Sequence, residues 1–198
     1  MAEPDTGAAL DLPQGYCRDE RRRRKGEDLL TIRKAELRDV PTIFEMVSHY
    51  AAQRIMLPRP LVELYENIWE FTVAEEDGQV VGCGALKFYS AELAEMRSLC
   101  VAPGVTSRGL GRALSERILN EAARFGLKTV FALTLATGFF EKLGFREVPR
   151  ERFPTKVWRD CLQCPRYFQC EEKAVVLDLA SRTSAELESA EEPTKVSA

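Results

Sequence analysis

The 198-residue sequence holds one histidine and two tryptophans. That histidine, His49, falls near the end of a helical stretch and reads as a capping or surface residue rather than a catalyst. Charge of one sign is also scarce. The 28 basic and 31 acidic residues leave a formal net charge of -3, which removes any general attraction to nucleic acid or to an anionic membrane surface. No run approaches the roughly 20 apolar residues of a membrane-spanning helix, and Met1 to Gly15 lacks the basic-then-apolar order of a secretory leader. A soluble cytoplasmic protein is expected, its six cysteines reduced thiols or metal ligands rather than disulfides. No internal repeat is present.

What is there is enough apolar residue, 45%, to bury one sizeable core. Residues 1–28 are rich in Gly, Pro, Asp and Arg without apolar periodicity, and residues 181–198 in Ser, Glu, Thr and Ala, so both ends read as solvated tails around a folded unit over residues 29–180. The basic run Arg21 to Lys25 sits among acidic neighbours and reads as solvated.

Within the unit, residues 30–33 form a short strand, and Asp39 is expected to cap a helix carrying Ile43, Met46, Val47 and Tyr50. Pro58 and Pro60 break the chain before a second short helix with Leu61, Leu64, Tyr65 and Ile68. Residues 71–74 and 79–86 flank Glu76-Asp77-Gly78 as a hairpin, and residues 94–101 add a third strand. Leu110, Leu114, Ile118, Ala122 and Phe125 fall on one helical stripe closed by Gly126. A strand at 129–133, a short helix stopped by Gly144 and a last strand at 174–177 complete a βααβββαβαβ order. That order makes an α+β fold with a mixed central sheet flanked by helices.

The turn Thr106-Ser107-Arg108-Gly109-Leu110-Gly111 joins a strand to a helix. First-turn amides and the helix dipole attract anions there, the glycines admit a bulky diphosphate, and Arg108 and Arg112 can pair with its oxygens. A glycine needed only for packing is the plain alternative. A P-loop would need Gly-Lys-Ser/Thr after four spacers, and a dinucleotide fold a third glycine with an acidic residue ending the next strand; neither is present. The adjoining strand, Leu99, Cys100 and Val101, offers backbone groups to an extended amide-bearing arm. Coenzyme A has both a pyrophosphate and such an arm.

These residues resemble the GNAT acetyltransferase superfamily. Its signature Gln/Arg-x-x-Gly-x-Gly/Ala matches at Gly109 and Gly111 but has Thr106 at its first position. Its second hallmark, Phe-Tyr-Glu-Lys-Leu-Gly-Phe, is similar to Phe139 to Phe145, with Phe140 in place of the tyrosine that often protonates the departing thiolate. Residues 50–59, 94–99 and 133–137 resemble the acetyltransferase domains of N-acetylglutamate synthases in a short form without the kinase-like domain. The resemblance implies acetyl-CoA as co-substrate, held by Leu99, Cys100, Val101, Ser107, Arg108, Gly109, Leu110, Gly111, Arg112 and Ala113. It also implies transfer to the α-amino group of L-glutamate, a step of arginine biosynthesis, in a ternary complex. Another small amine, a protein N-terminus or a CoA-binding sensor are the alternatives, and a homodimer is an open expectation.

Such a transfer needs a base to free the amine. Glu95 is the candidate, read as sharing a strand face with Arg97, Leu99 and Val101; the alternative is a sheet-surface carboxylate paired with Arg97. A backbone N–H near residues 99–101 can hold the oxyanion, and Thr134 or Thr137 can assist the leaving sulfur. A dicarboxylate acceptor needs cations, for which Arg54, Arg59, Arg97 and Lys156 are the candidates. Cys161, Cys164 and Cys170 are compact enough for a structural metal but supply three ligands where zinc wants four, so free thiols are favoured.

Overall fold

The computed structural model describes residues 30–105, 109–164 and 167–181. The expected tail at 1–28, the expected tail at 181–198 except for Ser181, and the expected phosphate contacts of Ser107 and Arg108 lie outside the described residues; Ser181 instead ends a 3-10 turn with Leu179 and Ala180.

Among the described residues, twelve α-helices and strands build one sheet and its cover. They are β1 (Leu30–Lys34), α1 (Val40–Ala52), α2 (Leu61–Glu66), β2 (Phe71–Glu76), β3 (Gln79–Phe88), β4 (Leu93–Val101), α3 (Leu110–Arg124), β5 (Thr129–Thr134), α4 (Thr137–Glu141), β6 (Arg146–Val148), α5 (Pro154–Arg159) and β7 (Lys173–Asp178). The sheet has seven strands in the order β1-β2-β3-β4-β5-β7-β6. All neighbours are antiparallel except β4 and β5, which run parallel, so the mixed α+β arrangement is observed. β6 and α5 go beyond the order read from the sequence. β6 has three residues, too few for an alternating pattern, and α5 one and a half turns behind Pro154.

Two helical layers cover the sheet. α3 packs Leu114, Ile118, Leu119 and Ala122 on one face, against Leu86, Met96 and Val130 among others. α1 packs Val40, Ile43 and Val47 on the opposite face with Val73, Cys83, Ala85 and Cys100. Gly84 allows α3 its close approach, because a Cβ there would lie 2.8 Å from Ile118 Cδ1 and 3.0 Å from Leu99 Cδ1. Phe125 does not join the stripe: it is 61% exposed and forms a T-shaped ring pair with exposed Phe88, since α3 ends at Arg124. Asp39 caps no α1 amide either. Its carboxylate accepts from Glu36 N–H and from Arg33, closing the 3-10 turn ahead of α1 instead.

Two irregularities shape the middle of the sheet. Cys83 pairs with Cys100 and Ala85 with Arg97, so β4 carries one residue more than β3 between the two pairs, with Ser98 at φ 53. The sequence reading put Glu95, Arg97, Leu99 and Val101 on one face. The bulge breaks that line: Leu99 and Val101 turn to the α3 side, and Cys100 joins Glu95 and Arg97 on the other. Secondly, β4 pairs with β5 only over residues 93–95 and 129–131, although β4 runs to Val101 and β5 to Thr134. Beyond those pairs the two strands part in a cleft, and Gly111 at the start of α3 stands against Phe139 of α4, the helix that follows β5.

Candidate active site

On the α3 side lies the start of that helix. Gly109 is the N-cap residue at φ 76, a conformation that costs a residue with a side chain about 1–2 kcal/mol. The first helical hydrogen bond runs from Ala113 N–H to the Gly109 carbonyl. The amides of Leu110, Gly111 and Arg112 therefore precede it, and these are the donors an anion can use, whereas that of Ala113 is spent within the helix. Leu110 is 3% exposed and offers backbone alone. Gly111 faces Phe139, whose ring lies at ordinary contact distance, 3.5 Å, from where a Cβ would stand. Gly109→Ala should thus lower the unfolding free energy by about 1–2 kcal/mol, while Gly111→Ala leaves it nearly unchanged, as chemical denaturation would measure. The Arg112 side chain is exposed and bonded to Glu116 one turn on. Cys100 is buried with its Sγ 3.6 Å from that of Cys83, and the Val101 carbonyl accepts from Tyr50 Oη at 2.7 Å.

On the opposite face, β4 presents Glu95 and Arg97, 2% and 8% exposed. Charges this deep persist only when paired. Lys156 of α5 reaches Glu95 Oε1 at 2.8 Å and also donates to Asp160 Oδ2, one helical turn further, at 2.6 Å. Tyr89 Oη donates to the other Glu95 oxygen at 3.1 Å. Arg97 Nη2 donates to Glu70 Oε2 at 3.0 Å and to Glu63 Oε1 at 3.4 Å; Lys87 holds the second Glu70 oxygen, and Arg59 Nη1 reaches the same Glu63 Oε1 at 3.2 Å. Arg59, Lys87, Arg97 and Lys156 are thereby matched by Glu63, Glu70, Glu95 and Asp160. Even so, the Nε atoms of Arg59 and Arg97 are both buried and unpartnered.

Ionisation follows from these contacts. Burial, and then the neighbouring Glu95 charge, push the Tyr89 phenol well up. Burial also acts against the charged Asp160, but the hydrogen bond and charge of Lys156, helped by Arg59 and Arg97, hold its carboxyl below the usual range. Glu172 shifts upward through burial, with Glu95 adding to the effect. The field of Arg59, Arg97 and Lys156 thus converges on the Glu95 side of the cleft.

Of the expected acceptor-binding residues, Arg59, Arg97 and Lys156 come together around Glu95. Arg54 lies outside this buried group, exposed at φ 61 just past α1. Glu63, Glu70, Lys87, Tyr89 and Asp160 were not singled out from sequence. The spacings Arg59–Glu63 and Lys156–Asp160, each i to i+4, were the visible signals. Thr134 is buried at the end of β5, its Oγ1 accepting from Ala136 N–H. Phe140 packs in the core against Phe139 and Phe145. Among the described residues no three His, Cys, Asp or Glu side chains gather as metal ligands would; Cys161, Cys164 and Cys170 are joined in no disulfide, and burial raises the Cys161 thiol. Nor is any helix among them long and apolar enough to cross a membrane.

Residues 67–147 match the family model for the acetyltransferase (GNAT) domain. The chain is 42% identical, over 75% of its own length and 96% of the relative's, to an uncharacterized N-acetyltransferase of Chlorobaculum tepidum. It is 43% identical to an amino-acid acetyltransferase of Mycobacterium tuberculosis, over 59% of this chain and 68% of that one. Among solved structures, the N-acetylglutamate synthase of Neisseria gonorrhoeae complexed with coenzyme A and N-acetyl-glutamate superposes with a TM-score of 0.70 at 29% identity. That match covers 78% of this chain and 36% of the synthase.

Proposed function

The chain belongs to the GNAT family of N-acetyltransferases, and from that premise we propose that it transfers the acetyl group of acetyl-CoA to the α-amino group of L-glutamate. The observation that carries the acceptor is the pair of arginines, Arg59 and Arg97, each with a buried, unpartnered Nε beside Glu95 and Lys156. Guanidinium groups grip carboxylates through paired N–H donors, and a dicarboxylate needs more than one such cation. Relatives named amino-acid acetyltransferase support the same acceptor class.

In this reading the pyrophosphate of acetyl-CoA meets the amides of Leu110, Gly111 and Arg112, and the pantetheine arm lies in the cleft where β4 leaves β5. The acceptor approaches from the α1, α2 and α5 side. Both Glu95 oxygens are engaged and the residue is 2% exposed, so the ammonium proton reaches its carboxylate through a bridging water. The freed amine attacks the thioester carbon, and a β4 backbone N–H at residues 99–101 stabilises the oxyanion. As the C–S bond breaks, the thiolate needs a proton; with Phe140 lacking a hydroxyl, Thr134 is our candidate donor.

The test is thiol release from acetyl-CoA across a panel of amino acids. L-glutamate should exceed acceptors without a side-chain carboxylate by about tenfold or more, since each lost charged contact is worth about 1.5–3 kcal/mol. Equal slow rates for all would sink the glutamate assignment.

A further inference from the structure

Glu63 is half-buried, with 32% of its side chain exposed, and it sits on the six-residue α2 rather than on the sheet. A single oxygen, Oε1, accepts from both arginines of the acceptor site, at 3.2 Å from Arg59 Nη1 and 3.4 Å from Arg97 Nη2. These are long, loose bonds for a carboxylate between two guanidinium groups. Glu70 contrasts with it: 5% exposed, held at 3.0 Å by Arg97 and at 2.8 Å by Lys87, it is fixed from two strands. Arg97 thus has one tightly bound carboxylate and one loosely bound. Both arginines keep a buried Nε that Glu63 does not satisfy.

We propose that Glu63 is a resident stand-in for the acceptor's carboxylate, occupying its subsite between Arg59 and Arg97 until an acceptor displaces it. The inference rests on the glutamate reading above for the identity of the acceptor, but not for the subsite itself. A carboxylate entering edge-on takes Nε together with an Nη of one arginine, a two-point contact that Glu63 Oε1 does not make. The buried donors left over are then satisfied, and Glu63 swings to the solvent it already touches. In this arrangement the two guanidinium groups are never left without an anion, and an acceptor lacking a carboxylate has nothing to exchange with Glu63. The residue therefore sets acceptor specificity as a competitor, without touching the acceptor in the reacting complex.

Glu63→Gln in the full chain tests this. Losing a half-exposed competing ion pair should lower KM for L-glutamate about three- to fivefold, with kcat and KM for acetyl-CoA within about twofold of the parent. A raised KM would make Glu63 an acceptor ligand, and an unchanged KM would make it a bystander; either overturns the proposal. Calorimetric binding of glutarate, a dicarboxylate with no amine, is the second measurement. Glutarate should bind the variant about three- to fivefold more tightly than the parent, and equal or absent binding overturns the proposal. If the parent acetylates no amino acid, the glutamate reading fails while the glutarate comparison still decides the role of Glu63.

Discussion

Glu95→Gln should lower kcat for acetyl transfer by about a hundredfold to ten-thousandfold, the range that a positioned general base contributes, while the affinity for CoA stays within about twofold. Glutamine keeps the size of the side chain and an oxygen for Tyr89 or Lys156, and Lys156 retains Asp160, so the local packing has no reason to collapse. Turnover and equilibrium CoA binding, measured on the same preparation, separate the roles. An equal loss in both would assign Glu95 to holding the strand rather than to moving a proton. The separation is clean because Glu95 and the α3 turn act from opposite faces of β4, joined only through the backbone at the bulge.

Lys156→Met carries the largest expected cost in stability. Methionine fills a similar volume but leaves Glu95, buried on β4, without its cation and Asp160 without its hydrogen-bond donor. Breaking one partner of a buried pair typically costs about 3–5 kcal/mol. For a chain of this size that corresponds to a fall in melting temperature of about 6–20 °C. Urea denaturation should show the loss, and the double variant with Glu95→Gln should recover part of it, because the stranded carboxylate is then gone. A loss below about 1 kcal/mol would mean that the pair is no more costly to break than a surface one.

Much of the frame was legible because it depends on local pattern. The Glu76-Asp77-Gly78 turn announced the β2–β3 hairpin, and the 3.6-residue recurrence of Leu110, Leu114 and Ile118 announced α3. The misreadings lie where the outcome is set by partners distant in sequence. β6 is a strand only because β7 lies beside it. Glu95, Arg97 and Lys156 were recognisable as charged residues with a task, yet that Lys156 meets Glu95 rather than solvent depends on how α5 crosses the sheet. Glu70 and Lys87 become a pair only because the β2–β3 ladder sets Phe71 opposite Ala85, which brings the residues just beyond that pair together. The bulge was invisible for another reason: its positive-φ residue is Ser98, and no glycine or asparagine marks the spot.

That one extra residue makes β4 a strand in two phases. Upstream of Ser98 the odd positions look toward the acceptor side and the even positions toward α3; downstream the parity is exchanged. Each half is written in its own alphabet, charged at Glu95 and Arg97, apolar and thiol-bearing from Leu99 on. Deleting that one residue would leave a single residue between the two pairs on both strands, so Glu95 and Arg97 would keep the acceptor side and Leu99 the α3 side, and only the local bend would be lost. What the extra residue supplies is therefore the bend and added twist of β4 just past the point where it leaves β5, not the assignment of its faces.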